Sequence, residues 1–250
     1  TPGSTVYVRA VVSDPFGSFD ITSSFVTITD PVGTVVVNNA AMIQVNDSGA
    51  ATKTYEYAYT IPVGGPEGNW TAQVIANEGT EGDVSHQHTA SLIVGNAALT
   101  VIKSVQTYSD PLHGTTSPFN IPGARILYTV QVVNSGVGST DTDTVFVTDQ
   151  IPANTALQVT DLGASGSGPV VFIDGSPVSG LSYTFTSLGS ATDDLEFSTD
   201  GVTWNYMPTA DANGVDTNVS HIRVNPKSSM LGDTGGGGPS FQLRFMVIVE

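Results

Sequence analysis

The chain has 250 residues, 39% of them hydrophobic, with 7 basic against 23 acidic side chains and a formal charge of −16. That length fits one large or two ordinary domains, the apolar content rules out a disordered chain, and the negative balance argues against nucleic acid and anionic lipid as partners. With no cysteine there is no disulfide, thiolate metal site or thiol nucleophile, and no stretch has the length and apolarity of a membrane-spanning helix.

From the start of the chain the apolar residues alternate with a period of two, and helical periodicity is almost absent. Val6, Val8, Ala10 and Val12 alternate with Tyr7, Arg9 and Val11. KTYEYAYTIP sets Tyr55, Tyr57 and Tyr59 on one face, NWTAQVIANEG does the same with Trp70, Ala72, Val74 and Ala76, and HTASLIV ends the block at Val94. Between these runs stand the turn signals DPFG, DPVG, NDSG and VGGPEG, at the spacing of a β-sandwich. A hinge, GNAA at 95–98, divides residues 1–95 from 96–250.

The second block runs through LTVIKSVQT, ARILYTVQVVN, DTVFVTDQIP, GPVVFID, LSYTFTSL, LEFSTDGVTWNYM and VSHIRVNP to FQLRFMVIVE. Asp200-Gly201 reads as a hairpin turn and Gly235–Gly238 as a flexible loop before the last strand. In that strand Phe241, Leu243, Phe245, Val247 and Val249 form one face, and the other is only half polar, as expected of a strand covered on both sides or meeting another subunit. The expected fold is therefore all-β, with two tandem Ig-like β-sandwich domains.

LTVIKS at Leu99, IPGARILYTVQVVNSG at Ile121, VFVTDQIPANT at Val145, DGVTWNYMPTAD, VSHIRVNPKSSM and PSFQLRFMVIV follow one another in an order that resembles the Ig-like conserved-repeat family, domain of unknown function eleven, of large bacterial and archaeal surface proteins. The resemblance covers most of residues 97–250. VYVRAVVSDPFGSFDIT, KTYEYAYTIP and GNWTAQVIANEG more loosely resemble the Ig-like modules that accompany such repeats. It implies non-catalytic spacers, stalks or wall-associated modules.

In that family pattern a Pro-Gly turn enters the second strand. The second domain has its first strand, Leu99–Thr107, before IPGARILYTVQVV, whereas TPGSTVYVRAVV opens the chain with nothing ahead of it. The opening Thr, without a charged-then-apolar leader, reads as a processed or cut product. A sandwich short of an edge strand recruits one, and donor-strand addition that does not close on itself builds a filament. The expected polymer interface is Thr5, Val6, Tyr7 and Val8 on the acceptor side, with Phe241, Leu243, Phe245, Val247 and Val249 as the candidate donor, or else a longer tail. A cut fragment whose first strand was left out stands beside this reading.

Other constellations are weaker. His86 and His88 share a strand face at a spacing that could chelate a metal, but no third ligand is placed. His113 and His221 are the other imidazoles, and His221 stands beside Ser220 with no nucleophile elbow or oriented acid. Among the acidic clusters, Asp193-Asp194 included, Asp141, Asp143, Asp211 and Asp216 are the candidate Ca²⁺ oxygens, though the DANGVD turn lacks the EF-hand spacing. Lys103 and Asn134 are weighed as an isopeptide pair against an ordinary exposed lysine. Asn46, Asn69 and Asn218 head N-glycosylation sequons. Trp70 with Tyr55, Tyr57 and Tyr59 reads as a core stripe or a sugar-stacking platform.

The expected function is a secreted structural subunit of an extracellular filament or sheath, a homopolymer joined by strand donation, with no enzymatic activity and no cofactor beyond weak Ca²⁺. The alternatives are a monomeric stalk pair from a large adhesin and a carbohydrate-binding module.

Overall fold

The computed structural model describes residues 3–79 and 84–250. The fold is all-β and divides into two compact units, Thr1–Asn96 and Ala97–Glu250, one residue beyond the division expected at the GNAA hinge. Thr1 and Pro2, which open the first Pro-Gly turn, lie outside the described residues.

The first unit has seven strands: β1 Thr5–Ser13, β2 Ile21–Thr29, β3 Val35–Ala41, β4 Ile43–Asp47, β5 Thr52–Thr60, β6 Gly68–Glu78 and β7 Val84–Val94. They form two sheets, ordered β1-β5-β4 and β3-β2-β6-β7. Three of the turns are built by an aspartate whose side chain takes a main-chain N–H two residues on. Asp14 accepts from Phe16 at 2.6 Å, Asp30 from Val32 at 3.0 Å and Asp47 from Gly49 at 2.9 Å. The core lies between the sheets, with Val26, Ile28, Tyr55, Ile61 and Trp70 buried.

This order is that of an Ig sandwich read from its second strand. In the Ig pattern one sheet is A-B-E-D and the other C′-C-F-G. Here β1, β5 and β4 take the places of B, E and D, and β3, β2, β6 and β7 those of C′, C, F and G. The place of A, beside β1, is taken by no strand among the described residues. One sheet therefore has three strands and the other four.

In the second unit the strands are β8 Leu99–Ser109, β9 Arg125–Asn134, β10 Val147–Gln150, β11 Thr155–Gln158, β12 Val170–Asp174, β13 Leu195–Ser198, β14 Val215–Asp216, β15 His221–Val224 and β16 Ser240–Val249. One sheet runs β14-β11-β16-β9-β8, with β12 also pairing β16, and the other runs β10-β15-β13. The turn at Asp200-Gly201 closes on the single bridge Phe197–Tyr206, with Tyr206 N donating to Phe197 O at 3.2 Å.

The candidate role of Phe241–Val249 as the donor strand is corrected here: it holds the internal place of last strand in the second domain. β16 is central: it pairs with β9 along one edge and with β11 and β12 along the other. Phe241, Leu243, Phe245 and Val247 are at most 2% exposed. Burying a row of large apolar side chains this way contributes on the order of 10 kcal/mol, so withdrawing the strand would dismantle the core of its own unit. Of the five residues only Val249, at the end of the strand, is half-buried.

β8 is the opposite case. Its edge toward β9 is paired without a break from Leu99 to Thr107 and again at Ser109, its other edge carries no strand among the described residues, and side chains on both of its faces are exposed.

Candidate interaction site, an open groove in the first unit

Because the first unit has three strands facing four, the inner face of β7 has no strand opposite it. Register fixes which side chains are left bare. Trp70, Ala72, Val74 and Ala76 of β6 point inward and pair across the ladder with Leu92, Ala90, His88 and His86 of β7. The β6 residues lie under β1, whereas every residue of β7 before Val94 is exposed. On the other side, Val6, Val8, Ala10 and Val12 pair with Tyr59, Tyr57, Tyr55 and Lys53 of β5 and face inward. They are only half-buried, and they alternate with exposed residues along the whole of β1.

Between the two edges runs a groove made of two adjoining hollows, ≈ 470 and ≈ 430 Å³, which share Val8, Arg9, Ala72 and Ala90 in their lining. One end is closed by Ile28, Tyr59, Ile61, Trp70 and Leu92 and is the more apolar. The other carries Asn77, Glu78, His86 and His88 among alanine and valine. The floor is made of small side chains, so there is depth for larger ones from outside. Along the rim every second residue of β1 turns its N–H and C=O away from β5, the exposed-edge condition under which another strand is bound.

The expected acceptor residues fall on this groove with different roles. Val6 and Val8 line its interior. Tyr7 and Thr5 belong to the outer face: Tyr7 is exposed, and the Thr5 hydroxyl lies 2.9 Å from that of Thr60. His86 and His88 stand in the groove wall, and no group of three or more His, Cys, Asp or Glu side chains suited to a metal occurs among the described residues.

The carbohydrate platform is corrected. Tyr55 and Trp70 are 3% and 4% exposed, the Trp70 indole N–H donates to Pro66 O at 2.9 Å, and Tyr59 packs on Trp70 with ring centroids 6.0 Å apart. Tyr57 and Tyr59 pack on the same core. These four side chains offer no coplanar aromatic face to a sugar.

The remaining candidates hold loops together. Asp211 accepts main-chain N–H groups from Asn213 and Val215 at 2.8 and 3.0 Å; the Val215 contact foremost draws its carboxyl below the usual range. Asp216 is pushed up by burial, but the N–H groups of Thr209 and Asn218 and the Tyr206 hydroxyl outweigh this and hold it low. Asp143, at φ 60°, accepts from Ser228 N at 2.7 Å, and Asp141 gives its main-chain carbonyl to the Thr144 hydroxyl at 2.8 Å. Asp193 and Asp194 accept the N–H groups of Thr186 and Thr184. His221 Nδ1 lies 2.8 Å from the Ser220 hydroxyl and its ring meets Trp204 edge-on. Asn46, Asn69 and Asn218 are exposed on the surface.

The Lys103–Asn134 pairing is also corrected. Lys103 pairs across the ladder with Val130, four positions from Asn134 and so about 13 Å along the strand. Its ammonium instead meets Asp149 Oδ1 at 2.6 Å and sits 4.5 Å from the centre of the Tyr128 ring. Asn134 is fully buried and spends its amide on the chain around it, accepting from Ala98 N and Gly136 N and donating to Gly138 O and Leu231 O.

The sequence did not point to Asp110, which organises a loop in the second unit. One carboxylate oxygen accepts from Leu112 N and His113 N at 2.6 and 2.7 Å. The other accepts from Phe119 N at 2.6 Å and lies 3.2 Å from His113 Nδ1. The DPLHG pattern, an aspartate before a proline turn, was the available signal.

No family model matches the chain. Three solved structures share low similarity with it. A chain named BspA_C_WT has 8% identity over 99% of this chain and 85% of that one, with a TM-score of 0.33. BcpA, the major pilin subunit of Bacillus cereus, has 11% identity over 99% of this chain and 59% of that one, with a TM-score of 0.26. Salmonella alpha-2-macroglobulin reacted with methylamine has 14% identity over 98% of this chain and 14% of that one, with a TM-score of 0.28. At such scores none of them superposes as a whole, so what the protein does has to be read from its own geometry.

Proposed function

We propose that this chain is the repeating structural subunit of an extracellular filament or sheath, polymerising head to tail by β-strand donation into the groove of the first unit. One observation supports the reading: an Ig sandwich whose A position is taken by no strand among the described residues, with the groove beneath it lined by inward-facing apolar side chains on both walls. The second unit, in this reading a module of the Ig-like conserved-repeat type, serves as spacer and carries the contact to the next copy.

The energetics say why the groove matters more than the edge. Joining two proteins costs roughly 4–15 kcal/mol in lost freedom of motion. Main-chain hydrogen bonds exchanged with water contribute only about 1 kcal/mol each, so a bare ladder is marginal. Four or five apolar side chains seated in the groove add on the order of 10 kcal/mol, which is enough to decide the balance. The acidic surface keeps unassembled copies soluble, while the more apolar end of the groove has Arg9 as its one charged lining residue.

Negative-stain electron microscopy and sedimentation of the full chain test this directly. The wild type is expected to form regular fibres at micromolar concentration, and Ala90→Arg to remain monomeric with an unchanged melting temperature. Ala90 is exposed in the groove wall, so a large charged side chain there blocks a guest strand without disturbing the fold. A wild type that stays monomeric at every accessible concentration would leave a stalk pair as the better description.

A further inference from the structure

No strand among the described residues covers the groove, and the strand first expected to be its guest, β16, is locked in its own core. We infer that the guest is β8 of a second copy of this chain, Leu99–Ser109, which docks along β1 without leaving its own unit. This rests on the strand-donation reading and names its partner.

Natural sheet edges are ordinarily guarded by charge, proline, a bulge or a covering segment. β8 has almost none of these. Its sequence, LTVIKSVQTYS, holds one charged residue and no proline, and its one irregularity lies at the far end, between Thr107 and Ser109. Val101 and Val105 are 59% and 63% exposed. They face the same side as Val132 and Tyr128 of β9, toward the core side of the sheet, yet the three-stranded partner sheet leaves them uncovered. Lys103, the one charge on that face, is already neutralised by Asp149. The strand thus presents a neutralised, apolar inner face and an unpaired main-chain edge, the two things the groove of the first unit lacks.

The dimensions agree. β8 has eleven residues and β1 has nine, so a full ladder can form between them. Its inward set, Leu99, Val101, Lys103 and Val105, alternates at the period of Val6, Val8, Ala10 and Val12, and would lie over the bare alanine, histidine and leucine side chains of β7. Since β8 keeps its ladder to β9, docking joins the sheet β8-β9-β16-β11-β14 of one copy to β1-β5-β4 of the next. No strand is exchanged and no core is opened.

Cysteine pairing tests the placement, because the chain has no cysteine of its own. Arg9 and Ser104 are the central residues of β1 and β8 and alternate with the inward-facing sets of those strands; Arg9 stands at the groove rim, its guanidinium turned to Glu56 at 2.6 Å. Arg9→Cys and Ser104→Cys copies, mixed and mildly oxidised, are expected to give the mixed disulfide ahead of either homodimer. Tyr7→Cys and Val11→Cys in place of Arg9→Cys then read the register. The paired change Val101→Asp and Val105→Asp touches only exposed side chains. It should leave the melting temperature of the monomer alone and raise the concentration needed for assembly about tenfold or more. Fibres that form normally with those two aspartates, yet are abolished by Ala90→Arg, would show that the groove takes a different strand. Predominance of the Arg9→Cys homodimer would instead show symmetric pairing of β1 with β1. If the wild type forms no fibre at all, the strand-donation reading fails and this assignment falls with it.

Discussion

Asp110 and Tyr55 show opposite ways of placing a polar group inside a β-sandwich. Burial pushes the Asp110 carboxyl upward, but the N–H groups of Phe119, His113 and Leu112 and the His113 ring outweigh it and bring it to about 2. A folded-state value below the unfolded one means the carboxylate stabilises the fold above the ordinary carboxyl range, and that this contribution fades as pH falls from 3.8 toward about 2. Asp110→Asn is therefore expected to lower the melting temperature near neutrality. The gap to wild type should close across that acid window, as thermal unfolding at a series of pH values would show. Tyr55 is buried with its hydroxyl unpartnered, and burial foremost pushes its phenol upward. An unpartnered buried hydroxyl costs about 1–3 kcal/mol, so Tyr55→Phe should stabilise the first unit, by about 1 kcal/mol in denaturant titration.

At the scale of elements, β1 and β8 are two edges waiting for a neighbour, and amide exchange reads this strand by strand. In the dispersed protein the outward-pointing amides of β1 should exchange quickly and those bonded to β5 slowly; in fibres both sets should be slow. Protection that stays confined to the β5 side would mean that nothing adds to β1. The strands themselves were legible, since the period of two at Tyr55, Tyr57 and Tyr59 and from Phe241 to Val249 is a local property of the chain. That β1 would lie at a sheet edge among the described residues was legible too, through the two Pro-Gly idioms. The identity of the exposed strand was not. LTVIKSVQT and FQLRFMVIV alternate in much the same way, and only the width of the facing sheet decides that one is bare and the other buried. Tyr55 and Trp70 were ambiguous for the same reason, because alternation names a face without saying whether solvent or protein lies against it. Lys103 was placed on the correct strand and read first as an exposed lysine, which it is; its distance from Asn134 was not legible, since register across a sheet cannot be counted from one strand alone.

For the whole molecule the two units differ in how complete their cores are. Among the described residues, nine buried apolar side chains form the core of the first unit and twenty that of the second. Stability follows apolar area removed from water, so calorimetry of the dispersed chain should resolve two transitions, the lower belonging to the first unit. Assembly, or a saturating peptide of sequence LTVIKSVQTYS, should move only the lower transition upward, because the ligand binds only that folded unit. A shift of the upper transition alone would place the binding site elsewhere.

The unequal sheets of the first unit have a further consequence. A copy that receives with one unit and gives with the other has no symmetric partner, so a chain of such copies has two chemically different ends. One end keeps a vacant groove and the other an unused strand. Growth can then proceed at unequal rates at the two ends, branching has no available site, and a short free peptide would cap one end while leaving the other able to grow.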